Sequence, residues 1–189
     1  MKKEPSVDAR IVKTRRALAR AVMALSEEKD FDDLTITEIT ARAGVGYATF
    51  FRHYPDKEAL LTEVAEPLLD ELLAKMLPGL LQADRLAAAT SVFQLAAEHR
   101  ALCVALLTGH AAPAVRQRLI VRATARVWPG EGPACGDAPR SLLVAHAVSA
   151  TLGLLTSWLV MDEPLPPAAM GQLLDTLVLA PVRSLRGSR

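Results

Sequence analysis

Side chains that could contact a nucleic acid are concentrated between residues 35 and 57. A threonine can hydrogen-bond to a base edge or place its methyl group against thymine, and an alanine can pack on the same thymine methyl group. Basic side chains and the backbone amides at helix starts can hold phosphates. The candidate residues for such contacts are Thr35, Gly46, Tyr47, Ala48, Thr49, Phe51, Arg52, His53 and Lys57.

No pattern typical of catalysis or metal binding accompanies this set. The four histidines are scattered, and none has a partner at metal-ligand spacing. The sequence has no glycine-rich phosphate loop and no nucleophile elbow. Cys103 and Cys135 form no CxxC or metal-ligand spacing, and two lone cysteines are typical of a protein in a reducing cytoplasm. We therefore expect a cytoplasmic protein that is not an enzyme and uses no metal or cofactor.

Two short helices around a tight turn are predicted to position the candidate residues. Thr35 is followed three residues later by Glu38, a capping box that starts a helix. Gly44 can adopt the left-handed conformation that ends it. In the second helix Phe50 and Tyr54 are four residues apart and should face inward. This pattern predicts a helix-turn-helix over residues 35–54, whose second helix enters the DNA major groove.

The candidate residues are expected to have different roles on DNA. Tyr47, Ala48 and Thr49 begin the second helix, where base edges are reached. Arg52 and His53 lie later in the same segment and should flank the DNA backbone. The two residues at helix starts, Thr35 and Lys57, are expected to contact phosphates, with capping alone as the alternative for Thr35. Residues 1–20 carry seven basic and two acidic side chains, a net charge of +5. Such a segment suits phosphate contact, and a solvated helix face is the alternative.

The segment from about Arg15 to Leu61 resembles the DNA-binding domain of the tetracycline-repressor (TetR) family. The matching stretches are LTITEIT before the turn, RAGVGYATFFRHY across it and PDKEALL after it. The resemblance implies an all-α fold with an N-terminal three-helix DNA-binding domain, residues 1–60, and a C-terminal helical domain for effector binding and dimerisation, residues 61–189. It also implies a DNA-binding regulator, a repressor released from a palindromic operator by a small molecule. Phe51 replaces the usual tyrosine, so its contact should be apolar.

The rest of the sequence predicts further helices. The first should run from Asp8 to Glu28 with Ile11 on its inner face. Pro67 should kink or interrupt the long helix that follows Asp56, and Pro78–Gly79 should end it. Later helices are expected near residues 80–99, 101–107 and 113–128, followed by a loop at 129–139.

Two strongly apolar helices are predicted near the C-terminus, at Ser141–Met161 and Ala168–Leu179, the second ended by Pro181. They could pair with their copies in a homodimer, as the resemblance also implies. Hydrophobic residues make up 51% of the chain, which indicates a large interface or an apolar cavity. No apolar run is expected to span a membrane, since about 20 residues are needed, and the N-terminus has no apolar stretch typical of a secretory signal.

The resemblance implies an effector cavity in the C-terminal helices, and the alternative is a solid core. The candidate lining residues are Phe93, His99, Cys103, Trp128, Trp158 and Met161. The apolar composition predicts a hydrophobic or amphipathic effector. An arginine stripe at positions 118, 122 and 126 could meet an acidic effector, although a solvated face is favoured. The alternative function is a helical small-molecule-binding protein that has lost DNA binding. Two residues leave this alternative open: Gly46 replaces the usual helix cap, and Phe51 lacks the hydroxyl of the usual tyrosine.

Overall fold

The computed structural model describes residues 7–81, 84–127 and 140–187, which contain helices and no strand. The predicted all-α fold is therefore confirmed. The helices are α1 Val7–Glu28, α2 Ile36–Ala43, α3 Tyr47–Phe50, α4 Lys57–Leu81, α5 Arg85–Glu98, α6 Arg100–Leu107, α7 Ala112–Val127, α8 Arg140–Leu159, α9 Pro167–Leu174 and α10 Ala180–Gly187. A 3₁₀ turn, Phe31–Asp33, precedes α2, and a π segment, Asp175–Leu179, joins α9 to α10. Trp128, Cys135 and the predicted loop at 129–139 lie outside the described residues.

The first four helices enclose one apolar core. Leu18 and Val22 of α1 are fully buried together with Ile39 of α2 and Phe50 of α3, and Leu60 of α4 closes the same core. The prediction for Ile11 is wrong, because this side chain is exposed. The core therefore holds α3 against α1, α2 and α4 by its inner side only.

Helix α4 is longer than the sequence predicts. It continues through Pro67 and Pro78 to Leu81, so the predicted end at Pro78–Gly79 is wrong and the helix is not interrupted at Pro67. A proline removes one backbone hydrogen bond and crowds the carbonyl four residues earlier. Pro67 lies on the exposed side, where water can solvate that carbonyl, while the neighbouring Leu68 and Leu69 are buried.

An ion-pair ladder joins α4 to α7. Arg118 lies 2.6 Å from Glu66, and Arg126 lies 2.8 Å from Asp70. Arg122 pairs with both carboxylates. The arginine stripe is thus not a free solvated face, and its charges are already compensated by α4. The ladder binds α7 to the helix that leads out of the N-terminal core.

The C-terminal helices pack against different neighbours. Helix α8 contacts chiefly α7, and α9 contacts chiefly α5, where Gly171 lies against the backbone of Thr90. The predicted end at Pro181 is wrong, because the helix continues through it to Gly187. The π segment just before Pro181 has a wider turn, which relieves the clash that a proline ring makes in a regular helix.

Helix α8 is apolar on almost all sides. By length and composition alone, Ser141–Leu159 could cross a membrane, so the expectation that no apolar run is long enough is wrong by that test. Half of this stretch is buried inside the described structure, and the core helix of a soluble protein meets the same criterion. Its outer side exposes Leu142 and His146.

Candidate nucleic-acid interface

The start of α2 is held by the predicted capping box. The Thr35 hydroxyl oxygen accepts a hydrogen bond from the Glu38 amide at 3.3 Å, and the Glu38 carboxylate accepts from the Thr35 amide at 2.9 Å. Lys29 Nζ donates to the same carboxylate at 2.7 Å. The Lys29 bond, followed by the Thr35 bonds, lowers the pKa of Glu38 to about 2. Capping by Thr35 is confirmed, and a phosphate contact by Thr35 stays a prediction.

This carboxylate should make folding sensitive to acid. Its pKa is lower in the folded protein than the ordinary value of 4.5, so its contribution is complete above pH 4.5 and is lost as the pH falls toward about 2. We expect Glu38→Gln to remove that part of the pH dependence in urea unfolding between pH 5 and 2. Glu27→Gln, at an exposed carboxylate of α1, is the control, and its dependence of stability on pH should match that of the wild type. A Glu38→Gln curve parallel to the wild type would contradict the assignment.

The turn between α2 and α3 depends on two glycines. Gly44 has φ +65°, the left-handed conformation that ends α2. Gly46 has no side chain to cap α3, but its carbonyl accepts hydrogen bonds from the amides of Thr49 at 2.8 Å and Phe50 at 3.2 Å. The missing polar cap therefore does not prevent α3 from forming.

Helix α3 buries one side and exposes the other. Phe50 and Tyr54 are buried, as predicted, whereas Tyr47 is 55% exposed and Phe51 46% exposed. The rings of Tyr47 and Phe51 meet edge to face with centroids 5.3 Å apart. The remaining candidates of this segment are exposed or half-buried: Ala48, Thr49, Arg52 and His53. We call the exposed side of residues 47–53 the reading face.

The end of the reading face is tied to α1 and α4 by a network that the sequence did not reveal. The Tyr54 hydroxyl donates to Glu63 at 2.8 Å, and Arg15 pairs with Glu63 at 3.1 Å. Burial, more than the bond to Glu63, raises the pKa of Tyr54 to about 12. Because Glu63 and Arg15 lie on different helices, no periodic pattern in the sequence could indicate this contact.

The ammonium group of Lys57 is bonded to backbone carbonyls of the protein. Its ammonium group donates to the carbonyl oxygens of Phe31 at 2.9 Å, Asp32 at 2.6 Å and Leu34 at 2.8 Å. It also lies 4.9 Å from the centroid of the Phe31 ring. An ammonium group has three donors, and all three are used here. In this arrangement the ammonium group has no donor left for a phosphate, and the predicted phosphate contact of Lys57 stays a prediction.

The residues predicted to line an effector pocket are spread over the C-terminal helices. Phe93 and Trp158 are buried, and their rings meet edge to face with centroids 5.4 Å apart. Cys103 on α6 is also buried, and this burial raises the pKa of its thiol to about 12. His99 and Met161 are exposed. The sixth residue, Trp128, lies outside the described residues.

A small apolar cavity lies between α4, α5, α8 and the last helices. Its volume is about 10 Å³, the space of one water molecule. None of the predicted pocket residues lines it; the lining residues are Met76, Ala88, Ala89, Val92, Ala147, Thr151, Leu174 and Leu179. Thr151 supplies its polar group, a buried hydroxyl that donates to the Ala147 carbonyl at 2.8 Å.

Fold and site together define an all-α helix-turn-helix protein whose second short helix exposes its outer side. Residues 18–64 match the family described as bacterial regulatory proteins, tetR family. This match confirms the resemblance over these residues.

Two curated relatives match part of the chain. An uncharacterized HTH-type transcriptional regulator of Bacillus subtilis, YxbF, is 38% identical over 72 residues, which cover 38% of this chain and 19% of that protein. An uncharacterized HTH-type transcriptional regulator of Haemophilus influenzae is 40% identical over 55 residues, 29% of this chain and 27% of that protein. The matches thus span only a fifth to about a quarter of these relatives.

Solved structures match over most of the chain. A TetR transcriptional regulator from Streptococcus agalactiae has a TM-score of 0.64 at 22% identity, covering 90% of this chain and 96% of that one. A tetR-family regulator from Streptomyces coelicolor has a TM-score of 0.62 at 19% identity, covering 93% and 82%. RolR, solved in complex with resorcinol, has a TM-score of 0.50 at 19% identity, covering 95% and 96%. The C-terminal helices therefore share the fold of these regulators.

Proposed function

We propose that this chain is a DNA-binding transcriptional regulator that acts in the cytoplasm as a homodimer on a palindromic operator. The observation that carries the proposal is the reading face, which stays accessible while Phe50 and Tyr54 anchor the opposite side of α3. In a two-fold dimer the two reading faces would meet two half-sites about one DNA turn, ~34–36 Å, apart. The TetR-family domain at residues 18–64 supports the same function.

The proposed division of labour places DNA binding in residues 1–60 and effector binding and dimerisation in residues 61–189. Helix α4 begins in the first part and ends beside the apolar cavity, where Met76 is one of the lining residues. The ladder to α7 ties the middle of α4 to the C-terminal helices. A displacement of α4 in the C-terminal part would therefore move the reading face.

We propose that the regulator is a repressor and that its effector is a small hydrophobic or amphipathic molecule. RolR, which has a similar fold, was solved in complex with resorcinol, a small aromatic ligand with two hydroxyl groups. The apolar lining with the single Thr151 hydroxyl would suit a ligand of that character. At about 10 Å³ the cavity must widen to accept it, and this widening would link effector binding to the position of α4.

The test of DNA reading starts from selection on a random duplex library, followed by gel shifts on the selected duplex. We expect Tyr47→Ala and Thr49→Ala each to cost roughly 1–3 kcal/mol on the selected duplex and to change which bases are preferred. Arg116→Ala, at an exposed position of α7, is the control and should bind like the wild type. If the wild type enriches no duplex, the alternative of a small-molecule-binding protein without DNA binding is favoured. If it does, but both variants keep its preference, the reading face is wrongly assigned.

The effector can be sought by fluorescence. The chain has two tryptophans, so Trp128→Phe leaves Trp158 as the only emitter. We expect an apolar or amphipathic compound that alters Trp158 emission to weaken operator binding by about 1–3 kcal/mol, the usual range of allosteric coupling. Thr151→Val should reduce the affinity for an amphipathic compound that bonds to the Thr151 hydroxyl. A diverse compound set that leaves operator binding unchanged would favour a solid core with regulation elsewhere.

A further inference from the structure

An ion pair joins the start of α5 to the π segment. Arg85 Nε donates to Asp175 Oδ1 at 2.7 Å, and the two side chains are only 31% and 22% exposed. The partners are 90 positions apart in the sequence, so the bond forms only when α5 and the π segment are packed together. Because the pair is partly shielded from water, salt screens its attraction less than that of an exposed pair.

Both partners of this pair lie about one helical turn from the small apolar cavity. Ala88 and Ala89 line the cavity and follow Arg85 by three and four residues, on the same side of α5. Leu179, another lining residue, follows Asp175 by four residues at the other end of the π segment. The lining residues are buried except for Ala88, which is half-buried, so the cavity comes nearest to the surface at Ala88. The ion pair therefore lies beside the end of the cavity that solvent approaches.

A second contact fastens α5 to the same C-terminal helices. A Cβ atom at Gly171 of α9 would lie 2.8 Å from the backbone nitrogen of Thr90, so the two backbones are too close for any side chain there. Thr90 and Arg85 are five residues apart, about 7.5 Å along α5. Ala88 and Ala89 lie between these two contacts. A pivot of α5 about Thr90 would therefore widen the cavity, and it would break the ion pair.

We propose that the Arg85–Asp175 pair is a latch that keeps the effector cavity closed, and that effector binding breaks it. The inference rests on the proposed function and adds the means by which the effector site opens. At about 10 Å³ the closed cavity has room for one water molecule, so an organic ligand binds only the widened form. Whatever stabilises the closed form then lowers the apparent affinity for that ligand. A π segment suits such a position, because π turns recur at functional sites.

The first experiment measures the binding of a neutral probe, N-phenyl-1-naphthylamine, whose fluorescence rises in apolar surroundings. The wild type, Arg85→Met, Asp175→Asn and the double variant are titrated with it. We expect each single exchange to raise the affinity for the probe about two- to tenfold, because the open form becomes easier to reach. The double variant should gain no more than either single exchange, since both remove the same bond. Arg42→Met with Glu28→Gln removes an ion pair between α1 and α2 and is the control, which should bind the probe like the wild type.

Each other outcome of the titration would overturn the inference. Unchanged affinity in both single variants would make the pair a structural tie without a role in opening. Weaker binding to Arg85→Met together with tighter binding to Asp175→Asn would mean that Arg85 contacts the ligand directly. Additive gains would mean that the two side chains act independently. Ala88→Leu, added to Asp175→Asn, should fill the mouth of the cavity and abolish the gain; if the gain persists, the probe binds elsewhere.

The second experiment follows amide hydrogen exchange without any ligand. We expect both single variants to exchange faster over residues 85–92 and 175–179, by about the factor gained in probe affinity, because exchange there reports the population of the open form. Peptides from α6 should exchange at the wild-type rate. Equal rates over residues 85–92 in variants and wild type would overturn the inference. Both experiments work without DNA, so failure of the proposed function is scored separately, by a wild type that prefers no duplex over a scrambled one.

Discussion

Leu142→Glu combined with Leu177→Glu should convert the proposed dimer into a monomer and reduce operator affinity by roughly 10²–10⁴-fold, the gain that simultaneous binding of two sites usually gives. These leucines are 59% and 58% exposed. Leu142 lies on the outer side of α8, and Leu177 lies on the π segment beside α8. A monomeric soluble protein rarely exposes large apolar patches, and a two-fold contact through α8 and the π segment would bury both of these side chains.

The affinity loss follows from geometry rather than from any change at the reading face. A monomer engages one half-site at a time, whereas a dimer that has bound one half-site holds its second reading face next to the other. Buried glutamates in the contact would repel each other and lose their hydration, which opposes dimer formation. The variant should therefore still bind a single half-site with the weak affinity of one wild-type reading face.

Sedimentation at micromolar concentration and gel shifts on full and half operators check this prediction together. Val121→Glu is the matched control, since Val121 is 57% exposed and belongs to α7, which is not part of the proposed contact through α8 and the π segment. It should remain a dimer with full operator affinity. A wild type that sediments as a stable monomer would refute the dimer, and a dimeric double variant would place the interface elsewhere.

The helix-turn-helix was predictable because its determinants are local. The Thr35–Glu38 capping box, the left-handed Gly44 and the inward pair Phe50 and Tyr54 each depend on residues within a few positions of one another. Such short-range rules act before distant parts of the chain meet, so they can be recognised in the sequence.

The errors arose where distant contacts decide the outcome. Pro67 does not stop α4, because the buried leucines around it gain more from packing than one missing hydrogen bond costs. The arginine stripe of α7 was expected to be solvated, but Glu66 and Asp70 lie more than 45 positions earlier in the sequence and pair with it in the fold. Sequence periodicity shows which residues share a face, but it does not show which element covers that face.

Lys57 gives the sharpest case of a distant contact that changes a functional prediction. Its partners are carbonyl oxygens of the 3₁₀ turn and of Leu34, which follows it, 23 to 26 residues earlier in the chain. By these bonds it fastens the link between α1 and α2 to the first turn of α4. Removal of the ammonium group would take a donor from the half-buried carbonyls of Phe31 and Leu34 and from the exposed carbonyl of Asp32. Phe31 would keep its bond from the Leu34 amide at 3.0 Å, so the loss is most costly at Leu34.

Lys57→Met should therefore lower the free energy of unfolding by about 2–4 kcal/mol, since hydrogen bonds from a charged donor contribute about 1.5–3 kcal/mol each and are not additive. Methionine keeps most of the apolar stem against Phe31 and removes only the charged group. Urea unfolding measures the change, and Lys13→Met, at an exposed position of α1, should stay within about 0.5 kcal/mol of the wild type. At a temperature where the variant is still folded, its operator binding should keep the wild-type salt slope. A slope lowered by about 0.9 with little loss of stability would instead mean that Lys57 leaves the carbonyls to bind a phosphate when DNA is present.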